Sequence, residues 1–212
     1  MSRLARIFPE AARREIEDAI HRAEEDTQAE IVVAAAGSSG RYDRPEDITG
    51  LIVAVLLLGL LSVFAPQEFH FAAVCTVLFV GFFAGAGLAM VCPPLRRLLT
   101  PRSEMLEETT RAAESLFYRS EIRRAPSRCG VLIYISFFEH TASVIADTRV
   151  LEKLGQEGID RLCFQLTQKL HGGPPDKAVV QVVEEAGREL ALALPRQEGQ
   201  EQELPNHFIL LD

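Results

Sequence analysis

Three hydrophobic patterns alternate along the chain, and each predicts a different element. Over residues 9–26, Ile16, Ala19, Ile20 and Ala23 recur at helical spacing while charged residues fill the other positions. This is the pattern of an amphipathic helix, and Pro9 suits its first turn, where a missing N–H is not needed. The run AEIVVAAA, Ala29 to Ala36, is short, apolar and β-branched, and it stops at Gly37-Ser38-Ser39-Gly40. Such a run, bounded by turn residues, reads as a buried strand.

The periodicity then disappears. Ile48 to Ala65 and Phe71 to Cys92 contain no charged residue. At about 18 and 22 residues, each has the length of a helix that crosses a bilayer core. A domain of this size could hardly bury two such helices on every face. The link between them is short, so the two spans form a tight helical hairpin with both outer ends on one side. Arg41 and Arg44 precede the first span, and Arg96, Arg97 and Arg102 follow the second, whereas the turn has Glu68 and His70 and no Lys or Arg. The positive-inside bias therefore predicts a multi-pass protein of the inner (cytoplasmic) membrane, its soluble part facing the cytoplasm. Gly81, Gly85 and Ala89 recur every four residues in the second span. Small residues at this spacing serve close packing against the first span, or self-association into a homo-oligomer.

Beyond the spans, Thr100-Pro101 and Ser103 offer helix-start chemistry, and Leu106, Ala113, Leu116 and Phe117 share the face of a helix to about Glu121. Val131 to Phe138 is a near-continuous apolar run, a strand buried on both faces, and Ala142 to Ala146 is a second. The three residues between them predict an antiparallel hairpin. Leu151 to Leu170 is mostly helical in period, with Gly155 and Gly158 placed to break it. His171-Gly172-Gly173-Pro174-Pro175 stops it, Asp176 is placed to cap a last helix through Leu190, Pro195 ends that helix, and the chain closes on an extended FILL. The lone first strand needs a sheet, and the later strands supply one. The expected organisation is one α/β domain split by a transmembrane hairpin: residues 1–47 (helix and strand), 48–95 (the hairpin) and 96–212 (the remainder).

Composition narrows the function classes. The net charge is −8, Trp is absent, and no Arg-rich strip carries interleaved aromatics, which argues against nucleic acid as a partner. Cys75, Cys92, Cys129 and Cys163 form no CxxC and have no His at ligand spacing, so all four read as unpaired thiols. The N-terminal region is charged where a secretory signal needs an apolar stretch. The spans contain no Asp, Glu, Lys or Arg, as expected of an anchor rather than a channel or transporter. No phosphate-binding GxxxxGK[ST] loop or GxSxG elbow is present.

Candidate chemistry concentrates in GVLIYISFFEHTASVIADTRV, residues 130–150. Glu139 and His140 interrupt the two apolar runs, and Asp147 follows the second. About six residues of strand separate them, about 20 Å, so Glu139 and His140 share no site with Asp147 within one subunit. Glu139 and His140 are expected in a solvated turn. Asp147 is either a cap or turn residue or a metal ligand at a strand end. Arg123, Arg124 and Arg128 form a loop cluster suited to a phosphate or anionic lipid, or simply to solvent.

Three stretches together resemble the TPM domain family, also called the thylakoid-lumen phosphatase-like domain. They are IEDAIHRAEEDTQAEIVVAAA; the central segment with Arg128, Gly130 to Ser136, Glu139-His140 and Val144 to Asp147; and VVEEAGRELALALP followed by Glu203-Leu204-Pro205. Cys129 stands where the family usually has Thr. The resemblance implies an α/β/α sandwich, here interrupted by the hairpin. It also implies calcium binding in some members, with Asp147 the candidate ligand here, and phosphatase activity in some. In many others it implies a non-catalytic role assisting membrane protein complexes. The expected function is thus a membrane-anchored TPM-like domain that binds or assists a membrane protein partner; the alternative is a calcium-dependent phosphatase.

Overall fold

The computed structural model describes residues 3–64, 70–119, 129–197 and 208–211. The chain divides into two compact units, Met1–Ser39 with Leu106–Asp212, and Gly40–Met105.

The first unit is a mixed α/β fold. Its strands β1 (Glu30–Ala36), β2 (Gly130–Ser136), β3 (Thr141–Ala146) and β4 (Phe208–Leu211) form one sheet in the order β3-β2-β1-β4. β1 pairs in parallel with both β2 and β4, and β2 pairs antiparallel with β3. Every residue of β1 and β2 is buried, which explains why both read as continuous apolar runs: central strands covered on both faces have no position to give to polar residues.

Helices lie on both faces. On one, α2 (Glu10–Glu25), α7 (Thr148–Gly172) and α8 (Pro175–Ala193) pack on Ile31, Val33, Val131, Ile133 and Ile135. The short α1 (Arg3–Ile7) leads into Phe8, whose ring meets Phe137 and Phe208 edge-on at 5.6 and 4.9 Å. On the other face α6 (Arg102–Arg119) sets Ala113 and Phe117 against Val32, Ala34, Leu132 and Tyr134. The alternation of side chains along a strand thus divides β1 between two cores. α2 and α8 approach so closely that a Cβ on Gly187 would lie 2.5 Å from that of Ala23. The start of β1 is tied down by Glu24, which accepts from Ile31 N–H at 2.7 Å, and by Gln28 N–H, which donates to Leu194 O at 3.0 Å.

Several local expectations shift. α8 begins at Pro175 with Pro174 at the N-cap, so Asp176 lies in the first turn and is not the cap. Pro175 suits the first helical position, where no N–H is needed, and Ala178 N–H already donates to Pro174 O at 3.0 Å, so the helix is under way before Asp176. Of the two candidate breaks in α7, only Gly155 is non-helical, at φ 68°. This is the left-handed region that glycine enters without steric cost. β2 ends at Ser136 rather than Phe138, because Phe137 and Phe138 turn aside and donate to Ala36 O and Gly37 O, both at 3.0 Å.

The second unit centres on two apolar helices, α3 (Arg44–Phe64) and α4 (Phe71–Val91), followed by α5 (Pro93–Leu99). Their mean hydropathies are 2.4 and 2.3, and little of either is buried. Leu56, Val63, Phe79 and Phe83 are 58–73% exposed, which distinguishes these helices from the core of a water-soluble domain. The hydroxyls of Thr49, Ser62 and Thr76 donate to carbonyls three or four residues earlier in their own helices. The small-residue stripe faces α3: a Cβ on Gly81 would lie 2.7 Å from Ala54 Cα, and one on Gly85 would lie 2.6 Å from Thr49 O. Gly81, Gly85 and Ala89 are buried in this contact. Of the two uses expected for the stripe, packing within the hairpin therefore occupies it, and it offers no open surface to a second copy. The turn residues 65–69, Arg123, Arg124, Arg128 and the segment 203–205 lie outside the described residues.

Candidate functional site

The two parallel strands β1 and β2 end side by side, and their following loops bring polar residues together. Glu139 is 2% exposed. One carboxylate oxygen accepts from Ser39 N–H at 2.8 Å and from Ser38 Oγ at 3.4 Å, and the other accepts from Ser136 Oγ. The solvated turn expected for Glu139 is therefore incorrect. The parallel register sets Ala36 opposite Ser136, so the Gly37-Ser38-Ser39 loop folds over the turn and supplies donors from about a hundred residues away. His140 remains exposed, at φ 52°, a left-handed turn conformation that His tolerates better than most residues.

Tyr134 extends the cluster. Its hydroxyl lies 3.2 Å from Ser39 Oγ. Burial holds its pKa above the ordinary tyrosine value; the Ser39 bond opposes this and the Glu139 charge adds to it. The phenol is thus kept neutral beside a carboxylate whose two oxygens both accept hydrogen bonds. A hollow of about 350 Å³ opens nearby, lined by Ile7, Ile135, Phe137, Leu170, Ser136 and His140.

Asp147 lies at the other end of β3, so Glu139 and His140 are not brought to it. It is the N-cap of α7, with Oδ1 accepting from Thr148 N–H at 2.7 Å. Its own N–H donates to Gly130 O at 2.8 Å. Oδ2 is buried with no hydrogen-bond partner. A groove of about 500 Å³ runs from here along β3 between α6 and α7, and Glu114, Asp160 and Tyr118 line it. Among the described residues no three His, Cys, Asp or Glu side chains gather where they could hold a metal ion. Calcium takes six to eight oxygens. Asp147 alone does not supply that set, and the described residues around it do not fit calcium.

Cys163 bridges the groove floor. Its thiol donates to Ala142 O at 3.2 Å. Burial pushes its pKa up, against a lowering by the Val144 backbone hydrogen bond and with a further rise from Asp160. Neither this contact nor the serine cage of Glu139 was read from the sequence. A signal for the cage was present: two adjacent parallel strands must end together, so the loops after Ala36 and Ser136 share one edge of the sheet.

These features define a mixed α/β domain with a buried, saturated carboxylate at one end of its hairpin and an acidic groove at the other. No protein-family model matches the chain, and no curated protein matches it. Among solved structures, the fold is similar to the NMR structure of BA42 protein from the psychrophilic bacterium Bizionia argentinensis. The TM-score is 0.58 and the identity 16%, over 94% of this chain and 92% of that one. At that identity the likeness is one of fold.

Proposed function

We propose that the chain is a membrane-anchored, TPM-like binding domain that holds or assists a membrane protein partner from the cytoplasmic side of the inner membrane, without catalysing a reaction. The observation that carries this reading is the pair of 21-residue apolar helices with outward-facing leucine, valine and phenylalanine side chains. A helix of that length spans about 32 Å, close to the hydrocarbon thickness of a bilayer. Its internal hydroxyl bonds meet the requirement that polar groups be satisfied within the segment. Arg44, Arg96 and Arg97 at the charged end of the hairpin support the cytoplasmic orientation. Arg96 lies 3.6 Å from Glu46 and donates to Tyr42 O at 3.3 Å, which orders that end.

Binding is favoured over catalysis by the state of the two carboxylates. Glu139 has its oxygens engaged by hydroxyl and backbone donors, and Asp147 is half used as a helix cap. Neither stands beside a nucleophile and an orienting base in the arrangement that hydrolytic chemistry requires. The topology is tested by fusing alkaline phosphatase, active only outside the cytoplasm, after Asp212. A silent fusion is expected, and an active one would reverse the orientation. Purification from native membrane should return a stoichiometric membrane protein. Phosphatase turnover lost on Asp147→Ala would instead favour the enzyme alternative.

A further inference from the structure

β3 is an edge strand, and the alternation of an antiparallel ladder determines which of its groups are open. The bond from Asp147 N–H to Gly130 O places Thr141, Ser143 and Ile145 toward β2 and turns the backbone of Ala142, Val144 and Ala146 outward. Cys163 covers part of that outward row through Ala142 O and the Val144 backbone. Beyond it, the carbonyl of Val144 and the backbone of Ala146 face the groove, and no described strand pairs there. An open edge of this kind is a template for an added strand.

The charge of the groove identifies what kind of strand. Glu114, Asp147 and Asp160 line it, and among the described residues no Lys, Arg or His does. Asp147 Oδ2 is buried without a partner. An uncompensated oxygen of this sort is costly, and its charge is poorly screened at the floor of the groove that Asp147 helps to line. Exposed Tyr118 on the rim adds an aromatic face, to which a cation is also attracted.

We propose that this groove binds an extended, lysine- or arginine-bearing segment of a membrane protein partner. The segment pairs its backbone with Val144 and Ala146 and directs one basic side chain toward Asp147. The proposal rests on the reading of the chain as a cytoplasm-facing binding domain. Cytoplasmic segments close to membrane spans carry an excess of Lys and Arg, so the groove complements what such a domain would meet.

The test uses the full chain in detergent micelles and a fluorescein-labelled peptide of alternating lysine and threonine, followed by anisotropy. Binding is expected, weakening as salt is raised. Asp147→Asn, which keeps the Oδ1 cap, should weaken it about ten-fold. Glu114→Gln, on the exposed side of α6, should weaken it about two- to three-fold. The same peptide N-methylated at alternate residues keeps its charge and loses its pairing donors, and it should also bind about ten-fold more weakly. Equal binding of the N-methylated peptide, or of a glutamate–threonine peptide, overturns the proposal, as does an Asp147→Asn chain that binds unchanged. Displacement of the peptide by millimolar calcium at constant ionic strength, with Asp147 resonances shifting, overturns it in favour of a metal site. The two readings fail separately. A partner that co-purifies equally with Asp147→Asn removes the groove and leaves the binding function. An active alkaline phosphatase fusion removes the cytoplasmic reading while peptide binding still stands.

Discussion

Glu139 and Asp147 flank the same short strand and both are buried, at 2% and 9% exposure, yet their surroundings are opposite. Glu139 accepts from two serine hydroxyls and a backbone N–H. Asp147 spends one oxygen on the helix it caps and leaves the other without a partner. A buried carboxylate with its acceptor sites filled fixes structure, because any change in it strands the donors around it. A buried carboxylate with an empty site is held in place by the fold and still has electrostatic demand to offer a ligand. The difference separates two residues that look alike in the sequence.

The largest effect is expected at the saturated end. Glu139→Gln replaces one acceptor oxygen by an NH2 group that must face Ser136 Oγ or Ser39 N–H. A loss of about 2–3 kcal/mol is expected, read from urea unfolding of the purified chain by tyrosine emission, since the protein has no tryptophan. Glu139→Ala should cost at least as much. Stability unchanged in both variants would remove the distinction between the two ends.

At the open end the order of substitutions reverses. Asp147→Ala removes the N-cap of α7 and should cost about 1 kcal/mol. Asp147→Asn keeps the oxygen that accepts from Thr148 and replaces only the partnerless one, so stability should stay within about 0.5 kcal/mol of the parent. An Asp147→Asn variant as unstable as Glu139→Gln would mean that Oδ2 is engaged after all.

A third test uses pH. Burial raises the Tyr134 pKa in the folded chain, whereas the unfolded chain titrates near the ordinary tyrosine value of about 10. Below that value the phenol is protonated in both states, and its contribution to stability is fully present. As pH rises from about 10 toward the folded pKa, the unfolded state gives up its proton first. Stability therefore falls across that window. The unfolding midpoint of the parent should drop above pH 10, and Tyr134→Phe should lessen the drop. A Tyr134→Phe chain with the same alkaline slope would place the titration elsewhere.

What was legible in the sequence is whatever depends on neighbours close in the chain. The periodicity of α2, the continuous runs of β1 and β2, the break at Gly155 and the two long apolar helices are all patterns within about twenty residues. The cage of Glu139 joins residues about a hundred apart and exists only because β1 and β2 are parallel and adjacent. Glu139 therefore read as a turn residue in solvent. Asp176 failed as a cap for a local reason, since the prolines before it set the helix start. The cap role open to Asp147 in the sequence is the one it plays, because the Asp-Thr start of α7 is local. The groove beside it depends on α6 and α7 lying on opposite sides of an edge strand, which no short pattern encodes.

A smaller effect than at Glu139 is expected at Cys163, on the boundary between the covered and the open parts of β3. Its thiol donates to Ala142 O, the Val144 backbone hydrogen-bonds to the same sulfur, and burial raises its pKa. The thiolate is therefore scarce at neutral pH, and alkylation should run slower than for an unhindered thiol of ordinary pKa. Cys163→Ser should cost under about 1 kcal/mol, because a hydroxyl can still donate and accept, although its shorter bond to Cβ reaches less far. Cys163→Ala should cost somewhat more and lengthen the open edge by the Ala142–Val144 backbone. If the groove pairs with an added strand, that variant should bind the lysine–threonine peptide at least as well as the parent despite its lower stability. Alkylation of Cys163 should have the opposite effect, by placing a bulky group over the same edge. A Cys163→Ala chain that unfolds like the parent, with unchanged amide exchange at Val144, would show that the sulfur does not close the edge. The open row of β3 would then begin at Ala142.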